Sequence, residues 1–226
     1  SDYEKSLKNY KKSSKIAKEA NDIRVLSFLH GNFGILYTDM GDLEHALEEY
    51  NSAQKIFEQI NEVRGKALTN YEISKVLFFK DNYIKALPLL SNATETLKKL
   101  GDLPYFTKSM LSLAMLYRLE ESYEESSNSI DSLEKNIENM TKASKERIYI
   151  EKYTNTLAQN INDKNINKLI EMAKNTPYDT NKGYIYYNLW FYSKNEDYRK
   201  ISLSVFKELF KIKPKHRFKY FINKLS

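Results

Sequence analysis

Cysteine is absent from all 226 residues, which excludes a disulfide scaffold, a thiolate metal site and a cysteine nucleophile. The absence fits a reducing compartment. No apolar run approaches the roughly eighteen residues that span a bilayer, and no signal peptide is visible, so a cytoplasmic setting is expected. Histidine is scarce. His30, His45 and His216 are the only three, and none has the spacing of an H-E-x-x-H metal site. Glycine is scarce too, at six residues, and neither G-x-G-x-x-G, the phosphate-loop pattern, nor G-x-S-x-G occurs. The carboxylate pairs Glu48-Glu49, Glu120-Glu121 and Glu124-Glu125 fall on polar helix faces, where nothing would raise a pKa for acid–base work. The expectation is a protein that is not an enzyme and carries no cofactor and no metal.

What the chain does have is a period. A shift of forty residues aligns Tyr3, Leu43, Tyr83 and Tyr123, and likewise Ser6, Ala46, Ala86 and Ser126. Farther upstream in each unit, Phe33, Ile73, Leu113 and Tyr153 fall together, as do Gly34, Ser74, Ala114 and Thr154. A fixed period of this size marks stacked copies of one supersecondary unit. With 41% hydrophobic residues the chain can bury a core, so disorder is excluded.

Each unit reads as two amphipathic helices. Residues 22–40 carry Val25, Phe28, Leu29, Phe33, Leu36 and Tyr37 at three-to-four spacing, and Gly41-Asp42 then breaks the helix. The second helix runs from about Leu43 to Asn61, with Leu47, Tyr50, Ala53 and Phe57 inward. The pattern returns as 63–80 and 83–100, then as 103–120 and 123–139, and no strand-like alternation competes. Small residues at Gly34, Ser74 and Ala114 face Ala46, Ala86 and Ser126, letting the two axes of a hairpin approach closely. A last hairpin is expected at 180–194 and 196–212, and 215–225 reads as a capping helix.

His30, Phe33, Gly34, Tyr37, Ala46, Tyr50 and Ala53 resemble the tetratricopeptide (TPR) spacing W-x2-L-G-x2-Y…A-x3-F…A, with His30 at the tryptophan position. Asn70, Ile73, Ser74, Leu77, Ala86, Leu90 and Ala93 repeat it, as do Met110, Leu113, Ala114, Tyr117, Ser126, Ile130 and Leu133. The forty-residue period resembles the long-helix variant of that family. The resemblance implies an all-α, right-handed superhelical solenoid of antiparallel helix hairpins. TPR-like repeats then occupy 1–139, the first contributing only its second helix, and 140–226 holds degenerate hairpins plus the C-terminal cap. In the degenerate part Ile150, Tyr153, Thr154, Leu157, Ile166 and Ile170 keep the register. Because the chain opens on Ser1 with Tyr3 already at the start of a second helix, an upstream segment of a longer protein is expected, and the uncapped end at Ser1 leaves pairing into a homodimer open.

The same resemblance implies a concave groove lined by the first helix of each unit, which would hold a protein segment or short peptide. Its lining would be Phe28 and Ile35 in one unit, and Leu68, Tyr71, Lys75, Phe78 and Phe79 in the next. Lys108, Leu111, Met115 and Arg118 follow, with Asn155 in the fifth. For any one of them the alternative is packing within a tightly wound solenoid, Phe78 and Phe79 above all. The family's carboxylate clamp for chaperone tails wants Asn where Ile35, Lys75 and Met115 stand, so a chaperone-tail receptor fits poorly. Repeat length, Lys/Asn-rich composition and a degenerate cap also resemble peptide-sensing bacterial transcription regulators of the Rap, NprR, PlcR and PrgX group. That likeness implies the sensing domain of such a regulator.

Charge is unevenly placed. From Lys194 to Ser226 ten Lys or Arg oppose Glu196, Asp197 and Glu208, a balance of +7 against a whole-chain net of +6. The alternative function is therefore association of this basic tail with nucleic acid or an acidic partner, through Lys207, Lys211, Lys213, Lys215, Arg217 and Lys219 with Tyr220 and Phe221 interleaved. No membrane association is expected.

Overall fold

Every twenty residues through the first 121 the backbone turns left-handed. Positive φ angles, between 52° and 88°, recur at Asn21, Gly41, Asn61, Asp81, Gly101 and Glu121. Glycine adopts this region freely, and Asn and Asp tolerate it better than most residues. The residue that follows each of these donates its backbone N–H to a carbonyl five positions back, at 2.8–3.0 Å, closing the helix by the Schellman pattern. That same residue then starts the next helix. The side chains of Asp22, Asp42, Glu62, Asn82 and Asp102 each accept from the backbone N–H three residues on. Each such cap is worth roughly 0.5–2 kcal/mol.

The computed structural model describes residues 2–226. Ser1, where the open end was expected, lies outside them. Among the described residues there are twelve α-helices and no strand: α1 Asp2–Glu19, α2 Ile23–Met40, α3 Leu43–Gln59, α4 Val63–Phe79, α5 Tyr83–Lys99, α6 Leu103–Leu119, α7 Tyr123–Glu134, α8 Lys142–Gln159, α9 Asp163–Asn175, α10 Asp179–Ser193, α11 Glu196–Ile212 and α12 His216–Leu225. Consecutive helices pair as antiparallel hairpins, most intimately α2 with α3, α4 with α5, and α10 with α11. This is a repetitive all-α hairpin solenoid of the general TPR-like kind.

The chain divides into two compact units, Ser1–Ser109 and Met110–Ser226. In the first, the core runs through Ala46, Tyr50, Ile73 and Val76, all buried, with Tyr37, Leu43 and Leu77 packed on them. The expected close crossing takes an unexpected form at Gly34. A Cβ there would stand 2.5 Å from the Tyr50 ring, so the missing side chain makes room for an aromatic ring and not for Ala46. Gly31, one turn earlier, has nothing within 4 Å of its own virtual Cβ, so it is not a packing glycine. Val25 and Phe28, read as part of the buried stripe, are exposed, and Leu29, Phe33 and Leu36 carry the burial of α2.

In the second unit the twenty-residue rhythm stops. α7 ends at Glu134, short of the expected 139, and a 3₁₀ turn follows at Ile137–Asn139. Thr141 and Asn162 cap α8 and α9 through side-chain oxygens. Ile150, Leu157 and Leu169 form a core with Ile185 and Leu189, and Tyr153, Ile166 and Ile170 pack against it. The small-residue crossings persist by hydrogen bonding: Ser126 Oγ donates to the Ala114 carbonyl at 2.8 Å, and Ser202 Oγ to the Gly183 carbonyl at 2.9 Å. α12 closes the last hairpin with Phe218 and Leu225 packed on Phe206.

The caps also set two histidines apart. His45 Nδ1 lies 2.7 Å from Asp42 Oδ2, and this hydrogen bond together with the Asp42 charge raises its pKa above the usual 6.5. Burial, and then Lys219, lowers that of His216. The sign follows: the His45–Asp42 pair contributes to stability below the unfolded value and loses that contribution as pH rises through the folded one. NMR titration is expected to place His45 above His216, and Asp42→Asn to bring His45 down. An unmoved His45 in that variant would show that Asp42 does not hold its proton.

Candidate functional site

On one side of α2, three-to-four spacing lines up Phe28, Gly31, Asn32 and Ile35. On α4 the same spacing lines up Gly65, Leu68, Thr69 and Glu72, and the two helices touch. Between them opens a cleft of about 140 Å³, floored by Tyr50 and Phe57 of α3 and bounded by Tyr105 at the start of α6. All of these residues belong to the first compact unit. The depth of the cleft depends on glycine. A Cβ at Gly65 would collide with the Phe57 ring, so the ring occupies the space a side chain would take. Phe28 stands edge-on to Phe57, with centroids 5.3 Å apart.

The walls are open to solvent. Phe28 is 41% exposed and Ile35 44%, large apolar surface that a helix of this length could have buried. Charge sits at the edges in compensated pairs. Lys75 Nζ bonds Glu72 Oε2 at 2.6 Å and lies 5.4 Å from the Tyr71 ring. Burial works against the Lys75 charge, but Glu72, Tyr71 and Asp39 together outweigh it and raise the ammonium pKa. Arg64 pairs with Asp102 at 2.7 Å, and Arg64 and Lys108 both lie over the Tyr105 ring. Burial pushes the Tyr50 phenol well above its ordinary range, with Glu72 adding to it, so Tyr50 is neutral at any working pH. An apolar floor with neutralised polar edges suits an apolar side chain.

Of the residues expected to line a groove, Phe28, Ile35 and Leu68 line this cleft. Lys75 stands at its edge through Glu72, and Lys108 is exposed over Tyr105. Tyr71 is buried, edge-on to Tyr105 at 6.2 Å. Phe78 and Phe79 are half-buried against each other at the end of α4, Phe78 stacked on Tyr83 at 5.7 Å, which is the packing alternative. Leu111, Met115, Arg118 and Asn155 belong to the second unit. Leu111 is half-buried, and Met115 packs on the α8–α10 core.

Arg118 and Asn155 need correction as ligand-facing residues. Asn155 is buried and donates to Ser127 Oγ at 2.9 Å and to the Tyr123 carbonyl at 3.3 Å. Arg118 is 2% exposed. Its guanidinium donates to Glu151 at 3.1 Å, to the Tyr192 hydroxyl at 2.7 Å and to the Tyr184 hydroxyl at 3.3 Å. Arg147 holds the other Glu151 oxygen at 3.2 Å and lies 4.4 Å from the Tyr184 ring. Burial, and then Glu151, pushes the Tyr184 phenol up to about 12. A buried cation requires such partners, so Arg118 serves the interior of its unit.

Reading only first-helix positions missed the floor, Tyr50 and Phe57, because the repeat pattern assigns them to the core. Tyr105 was missed although the forty-residue shift aligns it with Gly65. Among the described residues no cluster of three or more His, Asp or Glu could hold a metal ion, and no helix is long and apolar enough to cross a membrane. No family model matches the chain, and no curated protein sequence matches it.

Proposed function

We propose that this chain is a non-enzymatic interaction scaffold that takes a protein segment or short peptide on the α2–α4 side of its first unit, with one apolar side chain seated between Phe28, Ile35 and Leu68. The observation that carries this reading is the solvent-open apolar wall above an aromatic floor. An engineered apolar cavity of about 150 Å³ accepts a benzene ring, so a cleft of about 140 Å³ is the size for one large side chain. Hairpin solenoids present such extended faces generally. A peptide-sensing role in a bacterial transcription regulator is the narrower form of the same proposal, resting on repeat length and composition.

Panning a random dodecapeptide library on the protein, followed by calorimetry of the recovered peptides, tests it. Ile35→Asp places a charge at the cleft mouth on a side chain already 44% exposed, so folding should survive. Affinity is expected to fall at least tenfold, the scale of an interface hot spot, about 1.4 kcal/mol. Ile84→Asp, on the first turn of α5 and 76% exposed, should leave binding unchanged. Peptides that bind the Ile35 variant as tightly as the parent would place recognition elsewhere.

A further inference from the structure

The last eighteen residues, 209–226, contain Lys211, Lys213, Lys215, Arg217, Lys219 and Lys224 and no carboxylate side chain. Folding decides what this segment can offer. Phe218, Tyr220 and Leu225 are buried, and Phe221 stacks on Phe206 with centroids 4.8 Å apart. The apolar side of α12 is therefore spent on its own unit, and Arg217, Lys219, Asn223 and Lys224 remain exposed. A helix in that state has no apolar face for a bilayer interface. Nor can Tyr220 and Phe221 serve as base-stacking platforms, which corrects the interleaved arrangement read from sequence.

Some of the cations from Lys194 onward have structural work. Lys211 pairs with Glu208 at 2.6 Å in the last turn of α11, and Arg199 caps α12 through the Leu225 carbonyl at 2.9 Å. Lys207, Lys213 and Lys219 are exposed, and among the described residues no carboxylate pairs with them. A protein interface centres on buried apolar anchors. Between 202 and 226 Ile212 is the one exposed large apolar side chain among the described residues. A strip rich in exposed lysine, with Ile212 its one exposed large apolar side chain and Glu208, paired to Lys211, its one carboxylate side chain, is complementary to a regularly spaced polyanion.

We propose that the C-terminal half of α11, the 213–215 turn and the outer edge of α12 form a contact surface for the phosphate backbone of nucleic acid, without base preference. The surface lies in the second unit and is independent of the cleft. With Lys207, Lys213 and Lys219 engaged, and one neighbour at most, the affinity for a single strand should drop roughly 20- to 50-fold between 50 and 200 mM salt.

Fluorescence anisotropy with labelled oligothymidylate and a mixed-sequence oligonucleotide reads this directly. The parent is expected to bind both about equally at low salt and to show that salt loss. Lys207→Glu/Lys213→Glu/Lys219→Glu should abolish binding, while Lys8→Glu/Lys11→Glu/Lys12→Glu, an equal charge change on α1, should retain most of it. Far-UV circular dichroism checks that both variants fold. No binding at low salt would overturn the proposal, and so would equal losses in the two triple variants or a strong base preference. Competition by polyglutamate as effective as that of oligothymidylate would also overturn it, in favour of an acidic protein partner.

Discussion

Arg118→Met should cost the second unit about 3–5 kcal/mol, the usual penalty for stripping one partner from a buried ion pair. Glu151, 1% exposed, would keep only Arg147, and the Tyr184 and Tyr192 hydroxyls would lose their cationic donor. The physical claim concerns the orphan more than the bond. A buried carboxylate without its main counter-charge is worse than no carboxylate at all, so Arg118→Met/Glu151→Met should recover at least half of the loss. Arg147, with a side chain 30% exposed, can turn to water in that double variant. Arg118→Lys should not rescue, because a single ammonium cannot serve three acceptors held in the guanidinium's planar fork. Trp190 is the only tryptophan and lies in α10, so its fluorescence in a denaturant titration reports on this unit. A single variant within 1 kcal/mol of the parent would mean that water already reaches the network.

Two glycines on one helix should respond to the same substitution with opposite signs. Alanine is favoured over glycine in a helix interior by up to about 1 kcal/mol, and at Gly31 nothing within 4 Å opposes the added methyl. Gly31→Ala should therefore stabilise. At Gly34 the methyl would stand 2.5 Å from the Tyr50 ring. That ring is 1% exposed and its hydroxyl approaches Thr38 Oγ1 at 3.4 Å, so it cannot swing aside. Overpacking of this kind costs roughly 1–3 kcal/mol and outweighs the gain in propensity. Thermal unfolding by circular dichroism should raise the midpoint of one variant and lower that of the other. Shifts of the same sign would show that backbone propensity, and not the Tyr50 contact, governs both positions.

Much of the fold was legible because its signals are local. Gly41-Asp42, Asp81-Asn82 and Gly101-Asp102 each combine a left-handed closure with a side-chain cap, and all three mark helix boundaries in the structure. Asn21-Asp22 and Asn61-Glu62 do the same work less visibly, and Glu121 closes its helix with no side-chain cap from Ser122. The site was legible only in part. Phe28, Ile35 and Leu68, named from the resemblance to TPR repeats, line the cleft, but the same resemblance sent Arg118 and Asn155 toward a ligand when their partners lie in other helices.

The order of residues alone settled the class of the molecule: helices of seventeen or eighteen residues throughout the first six, closed and reopened every twenty, with a small residue where hairpins cross. Those features depend on neighbours within a turn or two, which a linear pattern records. Tertiary contact alone decided which side chains reach solvent. Arg118 is interior because Glu151, Tyr184 and Tyr192 arrive from 33, 66 and 74 positions away, and no local pattern encodes that convergence. The cleft likewise exists because Phe57 of one hairpin fills the space that Gly65 of the next leaves empty.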